Sequence, residues 1–133
     1  MNTQVVLKTL NDKFVISKVF NGQKALYAEG NQQSEAQVLE VIIPNGWNAT
    51  GNTEIHLKTP GGEYVTLHGD TVVLDATGAT EGRLFTPFWR GVWPVAFKAS
   101  NGQYVSRDTE AGAKLMANRS SMGDWETFYM IKV

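Results

Sequence analysis

Apolar and polar residues alternate over short runs along the chain, and turn-forming residues separate the runs. The last third shows this most plainly. It reads Val95-Ala96-Phe97-Lys98-Ala99, then Gln103-Tyr104-Val105-Ser106, then Lys114-Leu115-Met116-Ala117-Asn118-Arg119, then Trp125-Glu126-Thr127-Phe128-Tyr129-Met130-Ile131. A period of two places successive side chains on opposite faces, so each run reads as a half-buried strand. Asn101-Gly102 lies between the first two runs. It is a hairpin signal, because both residues tolerate positive φ.

The pattern occurs three times. Leu7-Lys8-Thr9 leads through a turn to Phe14-Val15, Leu57-Lys58-Thr59 to Tyr64-Val65, and Phe97-Lys98-Ala99 to Tyr104-Val105. The apolar-to-aromatic spacing is seven residues in every copy. A second element follows each time: Leu26-Tyr27-Ala28, Leu74-Asp75-Ala76 and Leu115-Met116-Ala117. A fourth strand closes each copy, near Val38 to Ile43, Leu84 to Phe88 and Trp125 to Ile131. Three copies of four strands predict a closed, pseudo-symmetric all-β body. The architecture that fits is a β-trefoil, with six strands in a barrel and six in three capping hairpins. The repeats span about 1–44, 53–90 and 95–133. Leu7, Phe14, Leu26, Leu57, Tyr64, Leu74, Phe97, Tyr104, Leu115 and Phe128 should be buried around a pseudo-threefold axis. Lys8, Lys58 and Lys98 each follow an inward residue and should point out to solvent.

A chain of 133 residues predicts one domain over 1–133, large enough to bury a core without metal or disulfide. Cysteine is absent, which excludes thiol nucleophiles, cysteine zinc sites and a disulfide scaffold. Twelve Lys and Arg against thirteen Asp and Glu give a net charge of −1, with no basic cluster. Strong nucleic-acid binding is not expected. No apolar run is long enough to span a membrane, and the first residues lack the basic start and apolar core of a signal peptide. The expectation is a soluble chain, with the cytoplasm favoured.

Catalysis finds little support. The histidines are His56 and His68, and His56 sits between two inward residues, so it should face solvent. No Ser, His and acid fall in a recognisable motif. Two histidines twelve apart do not make a metal site, so neither metal nor cofactor is expected.

Binding has more to work with. Four tryptophans are generous for this length. An indole offers a flat apolar face to the C–H side of a sugar ring, and Trp and Tyr also anchor protein interfaces. Trp125 is flanked by Asp124 and Glu126, and the loop starting Asn118-Arg119-Ser120 should lie across the same hairpin. A Trp platform with a carboxylate, an amide and an Arg at its rim is what polyhydroxyl recognition requires. The candidate ligand-binding residues are therefore Trp125, Glu126, Asn118, Arg119 and Asp124, with Trp89 as a secondary candidate. The alternative is that Trp125 packs under the hairpin cap. Phe128 belongs to the core. Asn118-Arg119-Ser120 also matches the glycosylation pattern, and a glycan there would block the site.

Three segments of copy three carry a family resemblance: Lys98-Ala99-Ser100-Asn101-Gly102-Gln103-Tyr104-Val105, Ala117-Asn118-Arg119, and Gly123-Asp124-Trp125-Glu126-Thr127-Phe128. Together they resemble the fascin-like β-trefoil family. The Asn-Gly pair of the first segment and the whole of the second and third are missing from copies one and two. The resemblance implies non-catalytic binding, either of a glycan or polysaccharide or of a protein partner such as actin. Bundling actin needs two sites, for which one trefoil without basic patches is poorly equipped. The expectation is a carbohydrate-binding, lectin-like module, with an actin-binding, cytoskeletal protein-interaction module as the alternative. Copy one has Ala36-Gln37 and copy two Gly82-Arg83 where copy three has Trp125-Glu126, so the aromatic platform should occur once.

Overall fold

The structure is a computed structural model that describes residues 3–42, 54–75, 85–89, 94–108 and 113–133. Phe20, Phe88, Trp89 and Asp108 are described by their backbone alone. Twelve strands follow in chain order. Copy one holds β1 (Thr3–Thr9), β2 (Phe14–Phe20), β3 (Gln23–Gly30) and β4 (Leu39–Ile42). Copy two holds β5 (His56–Lys58), β6 (Tyr64–His68), β7 (Thr71–Asp75) and β8 (Phe85–Trp89). Copy three holds β9 (Pro94–Ala99), β10 (Tyr104–Asp108), β11 (Lys114–Arg119) and β12 (Phe128–Lys132).

Six strands close into a barrel. β1 pairs with β4 and β12, β4 with β5, and β9 with β8 and β12. A bridge between Ile55 and Phe85 shuts the ring. The closure is threefold: Val5 faces Leu39, Ile55 faces Phe85, and Val95 faces Phe128. All six side chains are buried. The other six strands form hairpins β2–β3, β6–β7 and β10–β11. The hairpins meet in a second ring through Ala25–Val73, Thr71–Met116 and Lys114–Tyr27. This is the β-trefoil.

The turn joining each barrel strand to its hairpin is also repeated. The Thr9, Thr59 and Ala99 N–H groups donate to the Lys13, Glu63 and Gln103 carbonyls at 2.7–2.8 Å. In the reverse sense, the Asp12, Gly62 and Gly102 N–H groups donate to the Thr9, Thr59 and Ala99 carbonyls at 3.0–3.1 Å. Those three donors carry positive φ, of 65°, 97° and 80°. Two of them are glycine because a Cβ disfavours that conformation. Leu7, Leu57, Phe97, Phe85 and Phe128 are among the apolar residues around a central void of about 10 Å³, so the core is nearly filled.

Eight of the ten expected core residues are buried, but Tyr64 and Tyr104 are only half-buried. Each stands at the base of its hairpin, paired with the lysine of the preceding barrel strand. The repeated lysines account for the rest. Lys8, Lys58 and Lys98 are half-buried, and their ammonium groups lie over the rings of Phe14, Tyr64 and Tyr104 at 5.5, 5.6 and 5.9 Å. Their stems cover the aromatics while their charges stay wet. They are thus part of the fold and not simply a solvated exterior. His56 is also half-buried, edge-on to Tyr64 at 5.7 Å, because the neighbouring hairpin base covers it.

Candidate functional site

Copy three differs from copy one in the side chains that it carries at the end of its hairpin, not in the register there. The β10–β11 register steps from Val105–Ala117 to Tyr104–Arg119, which leaves Asn118 as the extra residue of a bulge. Bulges bend a strand and re-aim side chains. Copy one has the matching step, from Val15–Ala28 to Phe14–Gly30, so Gly30 stands where copy three has Arg119. Gly30 has no room for a side chain. A Cβ there would come within 2.7 Å of the Ile16 side chain. Ser106 replaces Ile16 in copy three, by the same offset that relates Phe14 to Tyr104. The smaller side chain opens space for Arg119.

The segment after the bulge is a turn held by Glu126. Its Oε1 accepts the Gly123 N–H at 2.8 Å, and the Thr127 hydroxyl donates to the Gly123 carbonyl at 2.7 Å. Asp124–Glu126 forms a short 3-10 turn inside this clamp. A Cβ on Gly123 would sit 3.1 Å from the Glu126 carboxylate, a close contact to which the carboxylate would have to yield. Phe128 follows at full burial and anchors the segment to the core. The Gly-x-Trp-Glu-x-Phe pattern is therefore a structural unit: clamp, outward tryptophan, core anchor. The fourth strand begins at Phe128, not at Trp125, because this clamp replaces the ladder over the first residues.

Trp125 is the outward member and is 42% exposed. The Arg107 guanidinium, on β10, lies over its ring at 5.9 Å. Such a contact is worth about 0.5–1 kcal/mol at an exposed site. Asp124 is exposed beside Trp125, while Asn118 and Arg119 are half-buried on β11. Glu126 is only 7% exposed, and its second oxygen is 3.9 Å from Arg119 Nε. Its carboxylate thus braces the turn from beneath. Trp89 ends β8 opposite Val95, and its side chain lies outside the described residues, as do Trp47, Arg90 and Trp93.

Arg107 was not among the candidates, because it is eighteen positions from Trp125 and reaches it only through the packing of the turn on β10. One signal was available. Counted from the aromatic that opens each hairpin, copy two has Leu67 at this position and copy one Ser17. Leu67 packs on the core, so an arginine there is out of character.

The turn occurs in copy one in a plainer form. The Glu35 carboxylate accepts the Asn31 and Gln32 N–H groups at 2.9 Å, around a 3-10 turn over Gln33–Glu35. By this clamp, Ser34-Glu35 matches Trp125-Glu126, so the expected pairing with Ala36-Gln37 is displaced. The platform position is serine, not tryptophan. The corresponding Gly82-Arg83 of copy two lies outside the described residues. Among the described residues no group of three or more His, Cys, Asp or Glu could hold a metal ion.

The fold has solved counterparts. "SeviL bound to asialo-GM1 saccharide" superimposes with a TM-score of 0.72 at 8% identity, covering 100% of this chain and 99% of that one. The designed threefold-symmetric protein ThreeFoil gives 0.71 at 10% identity, covering 98% of this chain and 99% of that one. These likenesses concern the fold. No curated protein sequence matches the chain. A model of the fascin domain matches residues 11–130, nearly the whole trefoil and all three of its repeats. The chain belongs to the fascin-domain family.

Proposed function

We propose that this trefoil is a non-catalytic carbohydrate-binding module with one principal site, on copy three. The observation that carries the reading is Trp125, a 42% exposed indole held on a clamped turn, with a guanidinium over its ring. An exposed tryptophan on a rigid turn is a preorganised platform, so little ordering entropy is lost on stacking a sugar. Arg107 covers one side of the ring, and the sugar takes the remaining exposed area. Arg119, Asn118 and Asp124 form the polar rim that hydrogen-bonds hydroxyl groups. Glu126 acts through the turn that it holds. SeviL, a protein of the same fold, is described as bound to a saccharide, which supports the class of ligand.

A glycan array with the purified chain tests the reading. Binding to at least one saccharide is expected, with a Kd between millimolar and tens of micromolar for a single stacked site. The signal should vanish in Trp125→Ala. An array without binders, confirmed in solution at millimolar saccharide, would sink the proposal.

A further inference from the structure

We infer that the saccharide bound at the Trp125 site is acidic, and that Arg107 receives its carboxylate. This rests on the carbohydrate reading above and names the ligand class for that site.

Arg107 has no acidic partner among the described residues. Its Nε is buried and has no hydrogen-bond partner there. The neighbouring cation, Arg119, is within reach of Glu126. Among the described residues Arg107 therefore combines a charge without an acidic partner, a donor without an acceptor and a place over the indole of Trp125. The buried Nε lies out of a ligand's reach, so an incoming acceptor meets the outer Nη groups of a guanidinium that has no acidic partner among the described residues. A carboxylate is the planar, two-oxygen acceptor that matches those groups. An acidic pyranose supplies both halves of the match. Its C–H face stacks on Trp125, and its carboxylate projects from the ring margin toward Arg107.

Two features fix the direction. Asp124 is exposed on the same turn and repels an anion, so the carboxylate is held on the Arg107 side. The chain as a whole carries a charge of −1, so no general positive field favours acidic glycans. Any preference must be local. The siblings show the contrast, with Ser17 and Leu67 in place of the arginine and Ser34 in place of the tryptophan.

The test is an NMR titration of the full chain, following the Trp125 indole and Arg107 Nε resonances. The probes are matched pairs: glucuronate and glucose, galacturonate and galactose, sialyllactose and lactose. At least one acidic member should bind about tenfold more tightly than its neutral partner. Arg107→Gln should bring that ratio close to one, whatever it does to the affinity for the neutral members. Arg107→Lys should also lose most of it, since a lysine lacks the planar fork. Should Arg107→Gln fail to fold, the wild-type ratio and the lysine variant still decide. Equal affinity within every pair, or a preference that survives Arg107→Gln, overturns the inference and leaves the carbohydrate reading standing. Tighter binding of galactose 6-sulfate than of galacturonate overturns the carboxylate assignment. No binding to any saccharide, on the array or here, overturns both.

Discussion

Glu126 accepts the Gly123 N–H at 2.8 Å, and through this bond a buried carboxylate decides where an exposed tryptophan stands. The two residues bracket Asp124 and Trp125, so the clamp sets the direction of the indole. Glu126→Ala removes the acceptor and leaves the Gly123 N–H without it. The expected loss is roughly 1.5–3 kcal/mol, the range for a hydrogen bond to a charged group. Glu126→Gln keeps an oxygen of the same shape and should lose less in urea unfolding. Saccharide binding should follow the same order, weakened more by Ala than by Gln. A binding defect in Glu126→Gln with no change in stability would instead place this carboxylate on the ligand.

Trp125 and Phe128 should separate binding from folding. Phe128 is fully buried, at 0% exposure, and packs against Phe97 with ring centroids 6.1 Å apart. Phe128→Ala should cost about 3–5 kcal/mol, a large share of a typical domain's stability. Trp125→Ala removes a half-exposed ring and should cost less than about 1 kcal/mol, while abolishing saccharide binding. Urea melts and titrations on the same two proteins test both statements. The reverse pattern would make Trp125 a packing residue.

The fold was legible because the trefoil repeats its determinants. Leu7, Leu57 and Phe97 keep one spacing to Phe14, Tyr64 and Tyr104, and that spacing survives even where the turn changes from Asn11-Asp12 to Gly61-Gly62. The proposed site was legible only in part. Trp125, Asp124, Asn118 and Arg119 are adjacent in sequence or across one hairpin, so local reasoning reaches them. Arg107 belongs to the other strand of that hairpin, and its contact depends on how the turn folds back. Glu126 reads as a rim carboxylate in the sequence because it is charged and next to Trp125, whereas in the structure it is buried and accepts the Gly123 N–H. Its burial follows from the 3-10 turn, which alternation cannot anticipate. Tyr64 and Tyr104 looked fully buried because period two assigns a face, not a depth.

Two glycines should fail for different reasons. At Gly30 the backbone is ordinary but space is short, with a Cβ 2.7 Å from Ile16 and 3.1 Å from the Phe14 carbonyl. Gly30→Ala should cost roughly 1–3 kcal/mol as an overpacked site. At Gly102 the space is open, but φ is 80°. Gly102→Ala should cost about 1–2 kcal/mol from the left-handed conformation alone. Combining Gly30→Ala with Ile16→Ser, the residue that copy three has there, should recover much of the first loss and none of the second. Equal rescue of both would show that the tight contact is not the cause.

The final prediction separates a saccharide module from a cytoskeletal one. Actin bundling requires two actin-binding surfaces per particle, and the copies here are unequal. Copy one carries Ser17, Gly30 and Ser34 where copy three carries Arg107, Arg119 and Trp125. A second platform of the same kind is therefore missing from copy one. The charge is also unfavourable, since a net −1 gives no long-range attraction to an acidic filament. Co-sedimentation of the purified chain with filamentous actin at physiological salt should be negligible. So should bundling at low-speed centrifugation. If the chain pellets with micromolar affinity and Trp125→Ala removes that binding, the same platform serves a protein, and the saccharide reading falls. If it pellets and Trp125→Ala has no effect, actin uses another surface, and the array result alone decides the role of copy three.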